Sequence, residues 1–256
     1  MRLTVLSTVF AAALAQPLAA QGTGGQSLES AASDPTASLT AFLLQDFYTS
    51  DYHNLDGESG NKFQLRLAVP YELGGASNIF RITLPYTTSS PAGTSGLQDA
   101  TVFNLTTFDQ PWGRYGIGFV ALLPTGASSQ SADRWGLGPA IGFVAQADWG
   151  IWGLFNQNIF DMGGDGPRDV NISIIQPIVN YGLGNGWSLG TSDMSIVYDW
   201  ETDEFVSLPL GLQLNKLVAL DAGISVQYGL SYEYNFYDDG FGPKDTFGFT
   251  AKFLLP

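Results

Sequence analysis

The chain holds 256 residues, with 10 Lys and Arg against 24 Asp and Glu, one histidine and no cysteine. A net charge of −14 excludes a nucleic-acid-binding surface, which needs clustered cations to meet phosphates. The missing cysteines exclude disulfides and thiolate metal sites, and the lone His53 excludes a multi-histidine centre, so neither metal nor cofactor is expected.

In chain order, Met1 and Arg2, the apolar residues 3–14 and the small residues after them read as a secretory signal peptide. Cleavage is expected after Ala15 or Ala20, with Ala20 preferred, so that 1–20 is the signal. Residues 21–37 are predicted to be a flexible lead-in. Residues 38–256 then form one unit. No later run approaches the roughly 18 apolar residues of a spanning helix, and no amphipathic helix pattern appears. Instead the apolar period is two, which specifies strands. Twelve are predicted: 39–51, 61–73, 77–88, 97–108, 113–124, 134–147, 150–160, 169–182, 186–200, 204–216, 219–236 and 245–255.

The connections alternate in length. GGAS at 74–77, DQPW at 109–112, ADWG at 147–150, GLGNG at 182–186 and NKLV at 215–218 are short. Those at 53–60, 89–96, 125–133, 161–168 and 237–244 are longer, and WETDE at 200–204 is the short exception. An even strand count with this alternation predicts an all-β fold, an antiparallel transmembrane β-barrel of about 12 strands in the bacterial outer membrane. Acids segregate accordingly: most fall at the long-loop end, while Glu72, Asp109, Asp148 and Asp221 fall near the other. Such a barrel leaves no sheet edge and satisfies every backbone group within lipid. A soluble sandwich gives no reason for this segregation.

The faces are readable in several strands. In 204–216, Val206, Leu208, Leu210, Leu212 and Leu214 alternate with small or polar residues, and 245–255 sets Phe247, Phe249 and Phe253 against Gly248, Thr250 and Lys252. Residues 220–235 alternate throughout, placing Ile224 at mid-strand in lipid and Ser225 in the lumen. Strands 39–51, 97–108 and 169–182 alternate poorly, and Pro177 is predicted to mark a bulge. Trp112, Trp135, Trp149, Trp152, Trp187 and Trp200, near strand ends, suit interfacial girdles.

Four segments carry a resemblance: ALLPTG at 121–126, RWGLGPA at 134–140, DGPRDVNISIIQPIVNY at 165–181 and VYDWETDEFVSLPLGLQLNKL at 197–217. They resemble an outer-membrane β-barrel transporter family of Gram-negative bacteria grouped with the phenol meta-pathway degradation proteins, whose members carry the labels "transporter" or "neuromedin U". The likeness covers most of the mature chain, although Pro256 departs from the usual aromatic last residue. It implies a porin-like barrel for passive uptake or efflux of small solutes, aromatic or apolar compounds among them, through or along the lumen. It implies no catalytic residues.

Alternation points Arg66, Arg81, Asp193, Asp199, Asp221, Gln227, Glu233 and Lys252 into the lumen. There they either set a field that selects solutes or pair into a polar plug. Gly136, Gly138, Ala140 and Gly142 share a face, leaving room for a solute or for a folded-in N-terminal segment. Two other functions stay open. One is a structural barrel with a closed lumen. The other is an outer-membrane lipid hydrolase using His53 as base, with Ser50, Asn54 and Ser59 near it in sequence. Expected partners are outer-membrane lipid and lipopolysaccharide, a small-molecule solute and the barrel assembly machinery, with no nucleic acid.

Overall fold

The structure, a computed structural model, describes residues 26–220 and 223–255. Alternating sequence becomes twelve antiparallel strands closed into a barrel. They are β1 (Thr40–Tyr52), β2 (Gly60–Leu73), β3 (Ala76–Ser89), β4 (Ala100–Gln110), β5 (Gly113–Leu123), β6 (Arg134–Ala147), β7 (Gly150–Gly164) and β8 (Ile172–Gly184). The ring continues through β9 in two halves (Trp187–Thr191 and Ile196–Asp199) and β10 in two halves (Glu204–Ser207 and Pro209–Ala219). It ends with β11 (Ser225–Asn235) and β12 (Pro243–Leu255). A two-residue strand, Gly96–Leu97, adds to the edge of β3 inside a long loop. Each strand pairs with its neighbours in sequence, and β1 closes the ring on β12, from Thr40 opposite Leu255 to Tyr52 opposite Pro243.

Short turns gather at one end and long loops at the other. Gly74 and Gly75 make the β2–β3 turn with φ of 61° and 81°, a two-residue geometry whose twist matches that of the strands. In outer-membrane barrels this is the periplasmic end.

Outside, the barrel is apolar. Leu67, Ile117, Phe119, Ile141, Leu154, Leu212, Leu230 and Phe249 form an exposed band that no protein covers. A surface of this extent is unstable in water and suits acyl chains. All six indoles face outward at the band's margins. Trp112, Trp149, Trp152 and Trp187 sit near the short turns, and Trp135 and Trp200 near the long loops. Lys216 bends its ammonium over the Trp187 ring, 5.2 Å from the centroid, and donates to the Asn185 carbonyl. That lets a lysine on the outer face reach the interface. The protein is an outer-membrane-type β-barrel.

Several predicted boundaries move. The strand predicted over 219–236 begins at Ser225, and Leu220, Gly223 and Ile224 lie outside the strands. Ile224 therefore sits before the strand at the periplasmic rim rather than at mid-strand in lipid. Ser225 does face inward, but it is buried. Strand 97–108 starts at Ala100, after the short Gly96–Leu97 piece. The bulge expected at Pro177 lies on the neighbouring strand. Pairing with β8 runs from Gly190 opposite Asn180 to Ile196 opposite Ile175, so β9 carries one residue more than β8. Pro177 itself stays in register with Leu154, and its carbonyl accepts from the Thr191 hydroxyl at 3.0 Å.

The segment expected to be a lead-in is described from residue 26 onward. Residues 28–33 form a short helix, α1 (Leu28–Ser33), N-capped by Ser27. It lies within the barrel mouth at the short-turn end. Ala32 packs there with Ala41, Leu43, Leu217 and Leu254, inward-facing residues of β1, β10 and β12. Burying this small apolar face supplies the stability that a six-residue helix lacks alone.

Half of the barrel's interior is itself a hydrophobic core. Ile79, Phe103, Leu105, Val120, Ala140, Phe155 and Ile159 project inward from β3 to β7 and pack together, with Ile172, Ile174 and Ile178 of β8 against them. This settles the use of the small-residue face on β6. It holds neither a solute nor the N-terminal segment, but the side chains of β7. A Cβ on Gly142 would come within 2.6 Å of the Phe155 ring, and one on Gly136 within 2.4 Å of Ile159. Gly142→Ala is therefore expected to destabilise the barrel by about 1–3 kcal/mol through overpacking, read as a lower urea midpoint in a vesicle-folding titration.

Candidate functional site

The remaining interior, walled by β9 to β12 with β1 and β2, is polar beyond the apolar cluster around Ala32, and a bridge divides it. Because of its extra residue, β9 leaves the ladder at 192–195 and carries Asp193 into the bore, as bulges re-aim side chains. Asp193 Oδ2 accepts from Arg66 Nη1 at 3.0 Å and from Gln45 Nε2 at 2.8 Å. Gln45 Oε1 accepts from Gln64 Nε2 at 2.9 Å, and Gln45 also reaches the Thr250 hydroxyl at 3.3 Å. β9 and β2 stand five strands apart in a ring of twelve, so the Arg66–Asp193 pair spans the bore rather than running along its wall. The Arg66 side chain is 12% exposed and that of Asp193 40%, all of it toward the lumen's own space.

Above the bridge lies an outer vestibule of about 520 Å³, lined by Lys62, Gln64, Gln176, Glu233 and Lys244 among others. Below it is an inner chamber of about 130 Å³. Arg66, Asp193 and Gln176 border both. The floor of the inner chamber is the N-terminal segment, from Ala31 to Ala37. Two cations pin that floor by its backbone: Lys252 Nζ donates to the Ala32 carbonyl at 2.6 Å, and Arg114 Nη1 to the Thr36 carbonyl at 2.8 Å. Arg114 is held in turn by Asp109 at 2.6 Å. Asp34 closes the segment on itself, accepting from the Thr36 amide at 2.7 Å and hydroxyl at 2.6 Å. Burial pushes the Asp34 carboxyl above the ordinary aspartate range, and the Thr36 donors oppose that rise.

The predicted lumen residues divide into three groups. Arg66, Arg81, Asp193 and Lys252 converge on the inner chamber, and Glu233 lines the vestibule. Two others line neither cavity. Gln227 faces inward but is buried at 2% exposure with no partner for Nε2. Asp199 sits at the β9–β10 hairpin, where its Oδ1 accepts from the Glu201 amide. Asp221 lies outside the described residues. Sequence reading missed Gln45, Gln176 and Arg114, and put Gln64 on the polar face of its strand without naming it a site residue. Gln64 carried a usable signal, since it alternates with Phe63 and Leu65. Gln45 lies in a strand whose alternation is broken by the outward Asp46.

The hydrolase constellation does not assemble. His53 Nε2 lies 2.7 Å from the Asn235 carbonyl, to which it donates, leaving Nδ1 as the ring's acceptor. Ser50 donates to the Asp245 carbonyl, and Asn54 to those of Asp238 and Gly240. Among the described residues no serine hydroxyl bonds to His53.

No protein-family model matches the sequence, and no curated protein matches it. Among solved structures, the chain is similar to outer membrane phospholipase A from Escherichia coli, at 13% identity over 84% of this chain and 92% of that one, with a TM-score of 0.42. It is also similar to an outer membrane channel from Pseudomonas putida F1, at 15% identity over 87% of this chain and 97% of that one, with a TM-score of 0.59. The latter likeness bears on the fold, and it is the fold of an outer-membrane β-barrel.

Proposed function

We propose that the protein is a gated outer-membrane passage for small solutes and not an enzyme. The observation that carries this reading is the division of the lumen: a vestibule, a charged bridge across the bore, an inner chamber and a floor made of the chain's own N-terminal segment. A purely structural barrel gives no reason to keep two water-accessible cavities meeting at one ion pair. Filling the bore with side chains would be simpler, as the β3–β8 half shows. The lumen also presents two walls, one apolar (Ile79, Phe155) and one polar (Arg66, Lys252), which suits solutes with an apolar body and a polar group. That Ser50 donates to the Asp245 carbonyl and no serine hydroxyl bonds to His53 among the described residues supports passage over hydrolysis.

The test is single-channel recording of the refolded protein in a planar bilayer. Discrete openings are expected, with a charge preference that shifts when Asp193→Asn or Arg66→Gln removes one side of the bridge. Openings whose selectivity ignores both substitutions would place the conducting route elsewhere. Complete silence from native protein and both variants, all shown to be folded, would favour the structural reading.

A further inference from the structure

We propose that the inner chamber is a binding subsite for a small amphiphilic monoanion, a carboxylate carried on a flat apolar body. The proposal rests on reading the lumen as a solute route and names what that route selects.

Charge balance is the first observation. Three cations border the chamber, Arg66, Arg81 and Lys252, against two carboxylates, Asp193 and Asp34. Both carboxylates are already engaged, Asp193 by Arg66 and Gln45, and Asp34 by Thr36. One positive charge is left over inside a protein whose net charge is −14. An uncompensated charge away from bulk water is costly, and an entering anion offsets that cost.

The second observation is the state of Arg81. It has no hydrogen-bond or ion-pair partner among the described residues. Its guanidinium lies over the Phe103 ring, 3.9 Å from the centroid, and 5.7 Å from that of Phe155. Stacking occupies the guanidinium's face and leaves its N–H edge free, the edge that receives a carboxylate in bidentate fashion. Arg66 Nε is likewise buried without a partner, and so are both polar side-chain atoms of Asn180, a 1%-exposed residue bordering the same chamber. Buried polar groups are normally satisfied, so three such groups around one cavity point to a polar ligand.

The third observation sets the rest of the ligand. Ile79 and Phe155 face the chamber beside Arg81, as does Ile178. A flat apolar body lies against this wall while its carboxylate meets Arg81. At about 130 Å³ the chamber takes one small ring and not a long chain.

Benzoate is the probe, with benzamide as its neutral isostere and acetate as the anion lacking the ring. Binding is read by calorimetry on the full-length protein refolded in detergent, each variant being checked for the heat-dependent gel mobility of a folded barrel. Benzoate is expected to bind more tightly than benzamide and acetate. Arg81→Gln is expected to weaken benzoate by at least about tenfold, the scale of a lost charged hydrogen bond, while leaving benzamide unchanged. Arg81→Lys should retain part of the affinity. If Arg81→Gln fails to fold, Lys252→Gln serves instead and should also weaken benzoate selectively. Benzamide binding as tightly as benzoate, or benzoate indifferent to the variants, would overturn the proposal. Acetate matching benzoate would reduce the site to one for inorganic-sized anions and overturn the apolar half. The binding assay is independent of conduction. Arg81-dependent benzoate binding in an electrically silent barrel would sink the passage reading alone, and conduction without benzoate binding would sink this one alone.

Discussion

Deleting residues 26–39 is expected to turn a nearly closed barrel into a steadily open pore. The segment is held by buried small residues and a few specific polar contacts. Lys252 and Arg114 grip two of its carbonyls, at 2.6 and 2.8 Å, and Ala32 fills a niche among Ala41, Leu43, Leu217 and Leu254. None of these contacts belongs to the strand ladders, so the twelve described strands keep their pairing with one another when the segment is absent. What remains is an inner chamber open to the periplasmic side and constricted by the Arg66–Asp193 bridge. Conductance in planar bilayers should rise severalfold over that of the native chain. The reverse experiment uses the absence of native cysteine. An Ala32→Cys/Leu254→Cys pair, formed within one packed cluster, should lock the floor in place, silence the pore when oxidised and restore native openings when reduced. A deletion variant that conducts no better than the native chain would show that the floor is not the barrier.

The second large effect concerns the lipid face. Leu230 is 64% exposed in the middle of β11, flanked by Leu214 of β10 and Phe249 of β12, both outward and exposed. Leu230→Arg is expected to cost about 2–4 kcal/mol, because a guanidinium at this depth must enter hydrocarbon or deform the bilayer to avoid it. Thr246→Arg is the control. Thr246 lies on β12, next in sequence to the outward Phe247, and lines the vestibule. An arginine there reaches water inside the barrel and should change folding stability little. The measurement is reversible urea unfolding in phospholipid vesicles. Equal losses for the two variants would mean that the assigned faces are wrong.

The faces follow from period two alone. Because side chains of a strand alternate strictly, any stretch that reads apolar-polar-apolar has its lipid and lumen sides fixed before a partner strand is known. Leu210, Leu212 and Leu214 outward with Gln213 and Asn215 inward are of this kind. Loop lengths then determined the ends, and the closed antiparallel ring followed from the count. Residues 220–224 show the limit of the method. They continue the alternation of β11, yet its pairing begins only at Ser225, because where a strand stops depends on pairing with β10 and β12, and pairing is not written in one strand's pattern.

The site depended far more on the tertiary structure. Sequence placed Arg66, Arg81, Glu233 and Lys252 inside the barrel but not at one depth, because depth depends on register summed around the ring. Asp193 reaches across the bore through a one-residue mismatch between β8 and β9, visible only when the two registers are compared. The glycine face of β6 declared that space exists, and only packing showed Phe155 and Ile159 filling it. Residues 26–37 look like a linker because their own composition cannot stabilise a helix. The barrel supplies the missing burial and two cationic anchors from β5 and β12, seventy-eight and two hundred and twenty residues away in sequence. Alternation is a local property and was legible. Convergence across a barrel is a sum of long-range pairings, and only the folded ring decides it.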